Sequence, residues 1–159
     1  MVCSVHCKET GTFCGNWDVG LTCAWTRELL AAFQANPGTG MDDAIKNCSK
    51  VHYDALDMDE MLKPFIGRPE AFCDFLCEKW HWIVTMDRDG KHLVADENKA
   101  ECVCPLVKTG AANSPNLCKC SEGFAERMFS KVFARPVRAR VKESILHSGS
   151  HCVYEIILD

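Results

Sequence analysis

Apolar residues in the first part of the chain recur at the spacing of an amphipathic helix. The segment 24–35, AWTRELLAAFQA, is followed by NPGTG, whose proline and glycines end a helix. The apolar positions of its inner face are Trp25, Leu29, Leu30 and Phe33. The pattern therefore predicts a helix over this segment.

Three more helices are predicted before the segment HWIVTM. The second begins after Thr39, and Asp42 and Asp43 favour its first turn because carboxylates stabilise the positive end of the helix dipole. A short third helix covers 57–66. Pro69 suits the first position of a fourth helix, PEAFCDFLCEKW.

The pattern then changes from helical spacing to alternation. HWIVTMDRDGKHLVADE is typical of a β-hairpin with the turn DRDG. ECVCPL continues as a short strand, and SEGFAERMFSKVFA is an amphipathic helix with Ser121 as its N-cap. PVRARVKESIL and HCVYEIIL are two final strands joined around HSGS.

These elements predict a single α+β domain over 1–159, in which N-terminal helices precede an antiparallel sheet with one inserted amphipathic helix. The segment 1–23 is a cysteine-rich N-terminal loop, and 24–80 forms the helical part. The remainder, 81–159, supplies the sheet, the inserted helix and the last hairpin.

Charge and hydropathy narrow the class of partner. The net charge of −4 repels polyanions, and Arg138, Arg140 and Lys142 alternate with apolar residues, as on the solvated face of a strand. The sequence contains no run of about 18 apolar residues that could cross a bilayer. Its first residues lack the pattern of a secretory signal. We therefore expect a cytoplasmic protein with neither a nucleic-acid nor a membrane partner.

Cysteine is the outlier, with 12 residues in a chain of 159. Two Cys-x-Cys pairs flank a loop that contains glycine and proline: Cys102 with Cys104, and Cys118 with Cys120. In an extended chain, residues two apart point to the same side, so each pair would present two sulfur ligands. Four thiolates could hold zinc or an iron–sulfur cluster. Reduced thiols packed as small apolar groups, and a disulfide or redox pair, are the alternatives.

The last hairpin places a carboxylate on an otherwise apolar face. Alternation along the strand, with a turn at HSGS, sets Glu143 opposite Tyr154 and on the same face as Cys152. A buried carboxylate needs a hydrogen-bond partner or a metal. Glu143 is therefore a candidate site residue.

No catalytic motif stands out along the chain. Cys104, which precedes a proline, and Cys120, at a predicted helix start, are candidate nucleophiles because such environments can lower a thiol pKa. A second set of candidate metal ligands near the N-terminus consists of Cys3, His6, Cys7 and Cys14.

The C-terminal third combines a glycine-containing amphipathic helix, a break before Pro-Val, a strand with a glutamate, and a glycine turn before a cysteine and an alternating strand. The residues that carry this pattern are Gly123, Phe124, Pro136, Val137, Glu143, Gly149 and Cys152. The segment resembles the superfamily of 4-vinyl reductases and aromatic-hydrocarbon sensors, in a cysteine-rich prokaryotic branch. The resemblance implies a fold shared with Golgi transport-particle subunits, often dimeric, with an apolar pocket between the helices and the sheet.

The resemblance also implies a zinc ion beside the pocket, which the hydrocarbon-sensing members hold with Cys and Glu residues. Cys152 matches the final ligand, whereas Ser144 stands where the preceding ligand is a cysteine. The substitute ligands would be Cys102, Cys104, Cys118 and Cys120, together with Cys152.

We therefore expect a non-enzymatic domain that binds or senses a small apolar or aromatic molecule, forms a homodimer as the related proteins often do, and acts through a separate effector protein. The residues that would form the pocket are Trp25, Phe33, Trp80, Trp82, Phe124, Phe129, Glu143 and Tyr154. One alternative is a thiol- or metal-dependent enzyme acting on a small substrate, with Cys104 or Cys120 as nucleophile. The other is an iron–sulfur redox protein.

Overall fold

The computed structural model describes residues 26, 30, 31, 33–35, 40–88, 90–108, 110, 113–147 and 149–158. The described residues between positions 26 and 35 are helical, as the apolar spacing predicts, and Leu30 is buried. Trp25 lies outside the described residues, as does the N-terminal set of candidate metal ligands.

The helices from residue 40 onward follow the predicted order. Helix α1 covers Met41–Ala55 and α2 covers Met58–Leu62, which a 3₁₀ turn at Lys63–Phe65 extends. Helix α3, Pro69–Phe75, starts at the predicted proline and continues into a π-helical turn, Leu76–Trp80. Within the ranges that are described, no helix is both long enough and apolar enough to span a bilayer.

Four antiparallel strands form one sheet. They are β1 (Ile83–Met86), β2 (His92–Asp96), β3 (Arg138–Glu143) and β4 (Val153–Ile157), in the spatial order β1-β2-β4-β3. Burial alternates along β2 and β4 because successive side chains point to opposite faces of a strand. This arrangement confirms the predicted α+β fold of helices followed by an antiparallel sheet.

Helix α5, Cys118–Phe133, is the inserted amphipathic helix, and it packs against both α1 and β3. Its residues Met128, Phe129 and Val132 are fully buried, and the ring of Phe129 lies 5.7 Å from that of Phe72. Between β2 and α5, the chain forms a short helix α4, Pro105–Lys108, and a 3₁₀ turn, Pro115–Leu117. The core therefore lies between α5, the other helices and the inner face of the sheet.

The α1 and α5 backbones touch at Gly123. A Cβ atom at this position would lie 2.2 Å from the backbone oxygen of Lys46, which is closer than any side chain can approach. The glycine of the resemblance motif is thus required by close packing between two helices.

The predicted strand ECVCPL is wrong. Residues 102–104 have no regular structure, and Pro105 opens α4 instead of ending a strand. Proline suits the first turn of a helix because its missing N–H has no intrahelical partner there. The side chains of Cys102 and Cys104 are therefore not held in parallel by strand geometry.

The predicted start of the inserted helix is also wrong. The Ser114 hydroxyl accepts a hydrogen bond from the backbone N–H of Asn116 and caps the 3₁₀ turn, which continues directly into α5 at Cys118. Ser121 consequently lies inside the helix rather than at its N-cap. Cys118 and Cys120 are helical and not extended.

The predicted register of the last hairpin needs a correction at Glu143. Tyr154 pairs with Val141 and Glu143 pairs with Val153, because a bulge lies between Val141 and Glu143. Glu143 is exposed, and its Oε1 accepts hydrogen bonds from the Ser150 N–H and hydroxyl at 2.7 and 3.0 Å. Glu143 therefore stabilises the turn instead of facing Tyr154.

Candidate ligand-binding cavity

A cavity of about 620 Å³ lies between α5, the sheet and the segment 102–106. Its other walls come from the C-terminal end of α1 and from Trp80 and Trp82, which precede β1. Leu56 and Val103 line it although their side chains are 62% and 41% exposed. The cavity therefore opens to solvent between the end of α1 and the segment 102–106, and its rim is apolar.

Aromatic side chains cover one wall. Trp82 stacks on Tyr154 with ring centroids 6.1 Å apart and an interplanar angle of 17°, and Trp80 lies 5.5 Å from Trp82. Phe124 of α5 lines the cavity as well. Four of the predicted pocket residues thus surround one space.

The remaining predicted pocket residues lie elsewhere. Phe129 is a residue of α5 whose side chain is buried in the main core and does not line the cavity. Phe33 packs in a smaller cluster with Leu30 and Ile45. Glu143 is at the exposed turn described above. Trp25 is outside the described residues.

Five cysteines also line the cavity. They are Cys102, Cys104, Cys118, Cys120 and Cys152, which come from three separate parts of the chain. All eight cysteines in the described part of the chain are free thiols. No disulfide therefore joins the described cysteines, and the metal, redox and packing interpretations of the cavity thiols stay predictions.

Burial raises the pKa of four of these thiols, those of Cys102, Cys118, Cys120 and Cys152. It raises the pKa of Cys120 and of Cys152 to about 11, because a thiolate would lose hydration there. Burial also raises the pKa of Cys118, an effect reinforced by the nearby Cys102 and Cys104 and partly opposed by a hydrogen bond to Ser144. A raised pKa disfavours the thiolate that a nucleophilic Cys120 would need.

The same cysteines have the right chemistry for zinc but are not arranged as a ligand set. No three His, Cys, Asp or Glu side chains among the described residues are placed so that they could hold a metal ion. A closed zinc site needs four ligands at about 2.0 to 2.3 Å from one point. The zinc ion and the iron–sulfur cluster therefore remain predictions.

Glu97 is a cavity residue that the sequence analysis missed. It follows β2 and lines the cavity with only 7% of its surface exposed, and its Oε1 accepts a 2.9 Å hydrogen bond from the Tyr154 hydroxyl. Burial raises the pKa of its carboxyl group, and the Tyr154 hydrogen bond only partly offsets this. The signal was in the sequence, because Leu93, Ala95 and Glu97 continue one alternating face of the strand.

A second buried carboxylate, Glu122, has a different role. Its side chain lies on α5 within 3.4 Å of Lys46 and 3.2 Å of Lys119, and its Oε1 accepts a 3.1 Å hydrogen bond from the backbone N–H of Val141. These contacts join α5 to α1 and to β3. Glu122 is therefore satisfied within the protein and stabilises the wall of the cavity from outside.

The chain thus has an α+β fold in which a helical layer packs on a four-stranded antiparallel sheet, with an apolar cavity between them. A solved structure with this fold is subunit 3 of the trafficking protein particle complex from Naegleria fowleri, covalently bound to palmitic acid. It aligns with 89% of this chain and 94% of its own, with a TM-score of 0.52 and 10% sequence identity. Neither the protein-family models nor the curated proteins compared with the sequence match it. The likeness confirms the expected α+β fold, which the resemblance implied to be shared with transport-particle subunits, whereas the link to 4-vinyl reductases and hydrocarbon sensors stays a prediction.

Proposed function

We propose that the protein binds a small molecule with a large apolar part in the cavity beside α5. The observation that carries the proposal is the cavity itself. Its volume of about 620 Å³ falls within the range of roughly 300 to 1,000 Å³ that is typical of small-molecule sites. A ligand that covers the apolar lining would remove it from water, so binding would stabilise the fold.

The wall chemistry supports an apolar or aromatic guest. Trp80, Trp82 and Phe124 offer flat apolar surfaces, and Met128 adds a flexible side chain that adapts to irregular shapes. Protonated thiols contribute further weakly polar surface. Only a few strongly polar groups interrupt this wall, which is the usual composition of a ligand pocket.

The structural neighbour supports the same class of ligand. The transport-particle subunit of Naegleria fowleri has this fold and carries palmitic acid, a molecule with a long apolar chain. The apolar rim at Leu56 and Val103 gives such a chain a path into the cavity. A bound fatty-acyl chain is accordingly one form that the ligand could take in this protein.

Binding of the neutral fluorescent probe N-phenylnaphthylamine tests the proposal. Its emission rises in an apolar site, so we expect saturable enhancement with one probe per chain and displacement by dodecanol. Alkylation of the cavity residue Cys118 should slow when dodecanol is bound, whereas alkylation of the exposed Cys77, which lies outside the cavity, should not change.

A pair of matched variants links the signal to the cavity. Ala125 lines the cavity and is 3% exposed, so Ala125→Phe fills part of the space. Ala44→Phe adds the same ring on the exposed face of α1. We expect at least about tenfold weaker probe binding in the first variant and unchanged binding in the second. Equal probe binding in both folded variants would contradict the proposal.

Two accessory features implied by the resemblance remain part of the proposal. A zinc ion held by cysteines near Cys152 would appear as stoichiometric metal in protein purified without a chelator. A homodimer would appear as twice the chain mass of 17.8 kDa in sedimentation equilibrium. The binding experiment above depends on neither of them.

A further inference from the structure

Glu97 lines the cavity, and one of its carboxylate oxygens has no hydrogen-bond partner among the residues that the structure describes. Oε2 of Glu97 is buried, and no hydrogen-bond donor in the described part of the chain reaches it. The other carboxylate oxygen, Oε1, accepts the Tyr154 hydroxyl. A buried carboxylate oxygen without a donor is unfavourable because the hydrogen bonds it would make with water are not replaced.

The charge of Glu97 is also incompletely balanced. Lys99 is the basic group that favours its ionised form, whereas Asp96 disfavours it, and burial has the largest effect in raising the carboxyl pKa. Asp96 is itself paired with His151 at 3.1 Å. A further positive group or hydrogen-bond donor beside Oε2 would therefore be stabilising.

The surroundings of Glu97 are those of an amine site. The Tyr154 hydroxyl donates a hydrogen bond to the Glu97 carboxylate, and Trp82 stacks on the Tyr154 ring. Trp80 and Trp82 line the same cavity, and an aromatic face can attract a cation through its ring quadrupole. The aliphatic and thiol surfaces farther along the cavity fit an apolar body.

We propose that Glu97 binds the head group of the cavity ligand and that this head group carries a hydrogen-bond donor, best supplied by an alkyl or aryl amine. Because Oε2 lies just behind the cavity surface, the donor reaches it after a small rotation of the Glu97 side chain, and the apolar part extends along α5 toward the rim. This inference rests on the proposed ligand-binding function and adds the polarity of the ligand. It also implies that a free carboxylic acid binds less well, because its anion would face the Glu97 carboxylate.

Three ligands with one alkyl chain test the proposal on the full chain: dodecylamine, dodecanol and dodecanoic acid. Each is titrated at neutral pH against bound N-phenylnaphthylamine. We expect dodecylamine to bind at least about tenfold more tightly than dodecanoic acid, as a charge-assisted hydrogen bond would give, with dodecanol between them. Equal affinities of the amine and the acid would overturn the proposal.

Variants assign the preference to Glu97. Glu97→Gln keeps an acceptor for the Tyr154 hydroxyl and removes the charge, so the amine should weaken about tenfold while dodecanol changes by less than about threefold. Glu155→Gln removes a carboxylate from β4 outside the cavity lining and should leave the amine preference unchanged. Lys99→Met removes the competing cation, and amine binding should stay equal or become tighter.

The outcomes separate this inference from the proposed function. Failure of the probe and of all three ligands to bind would reject the ligand-binding function itself. Binding of the probe and dodecanol without an amine preference would reject only the role of Glu97. Loss of the amine preference in Lys99→Met would also reject it, because Lys99 would then organise the site. If Glu97→Gln does not fold, the ligand series on the unchanged chain decides alone.

Discussion

The Cys118 thiol donates a hydrogen bond to the Ser144 hydroxyl, with sulfur and oxygen 3.3 Å apart. Cys118 is the first residue of α5, and Ser144 directly follows β3. The contact therefore joins the helix to the sheet at the edge of the cavity.

Ser144→Ala should weaken the fold and make Cys118 less reactive. Ser144 is 1% exposed, and loss of its hydroxyl leaves the thiol without this acceptor, at a cost of about 1 kcal/mol. The hydrogen bond also lowers the pKa of Cys118, so its removal should raise that pKa further. Peptide-resolved alkylation rates should show slower modification of Cys118 at a given pH, with exposed Cys77 as the internal control. Faster modification in a folded variant would contradict this role.

The Cys120 thiol should react slowly at neutral pH. Burial raises its pKa to about 11, so only about one molecule in ten thousand carries the thiolate at neutral pH. Its alkylation rate should rise about tenfold for each pH unit until the pH reaches the pKa of about 11. A rate that is already maximal near neutral pH would instead favour the alternative of a nucleophilic cysteine. The exposed Cys48 controls for changes in the reagent.

Gly123→Ala should destabilise the protein, although the same change usually stabilises a helix interior by about 1 kcal/mol. The added Cβ would lie 2.2 Å from the Lys46 backbone oxygen, and backbone cannot rotate away as a side chain could. We expect a loss of about 1 to 3 kcal/mol in the free energy of unfolding, as for overpacked cores. Urea unfolding measures it, and a higher midpoint would contradict the close approach.

Glu97 should make stability depend on pH in the direction opposite to an ordinary surface carboxylate. Burial raises its folded-state pKa above 4.5, so its contribution is fully present below the unfolded-state pKa and is lost as pH rises through the folded-state pKa. Glu97→Gln should therefore gain in stability relative to the unchanged chain as pH rises from acid to neutral. Urea unfolding over this range measures the difference.

Glu143 provides the matched control for that experiment. Hydrogen bonds from Ser150 lower the pKa of its exposed carboxyl group. Its contribution is therefore present above the unfolded-state pKa and is lost as pH falls through the folded-state pKa. Glu143→Gln should lose stability relative to the unchanged chain as pH rises. The same sign in both variants would contradict the assigned environments.

Periodicity alone was sufficient to predict most of the fold. The spacing of apolar residues identified α1 and α5, and alternation identified β2 and β4, because burial on one face imposes these periods on any sequence. The bulge beside Glu143 could not be predicted in this way. Beside the bulge, the Glu143 carboxylate accepts hydrogen bonds from Ser150, seven positions along the chain, and no apolar pattern records such a contact.

Many of the residues that line the cavity could be predicted from the sequence, but the shape of the cavity could not. The hypothesis of shared metal ligation brought Cys102, Cys104 and Cys118 close together near the last hairpin, and all three line the cavity. Whether space remains between the walls depends on how Trp82 and Phe124 pack, and that is a property of all elements together. Glu97, in contrast, could have been found by extending the alternation of β2 by one step.

The close contact between the α1 and α5 backbones at Gly123 limits which wall of the cavity could adjust to proposed ligands of different size. Helix α5 has no room to retreat toward α1, and the sheet is held by its own interstrand hydrogen bonds. The segment 102–106 borders the cavity, and its residues 102–104 belong to no regular element. If the protein binds a ligand as proposed, changes in this short stretch would alter the length and width of the molecule that fits while the helices and the sheet stay the same.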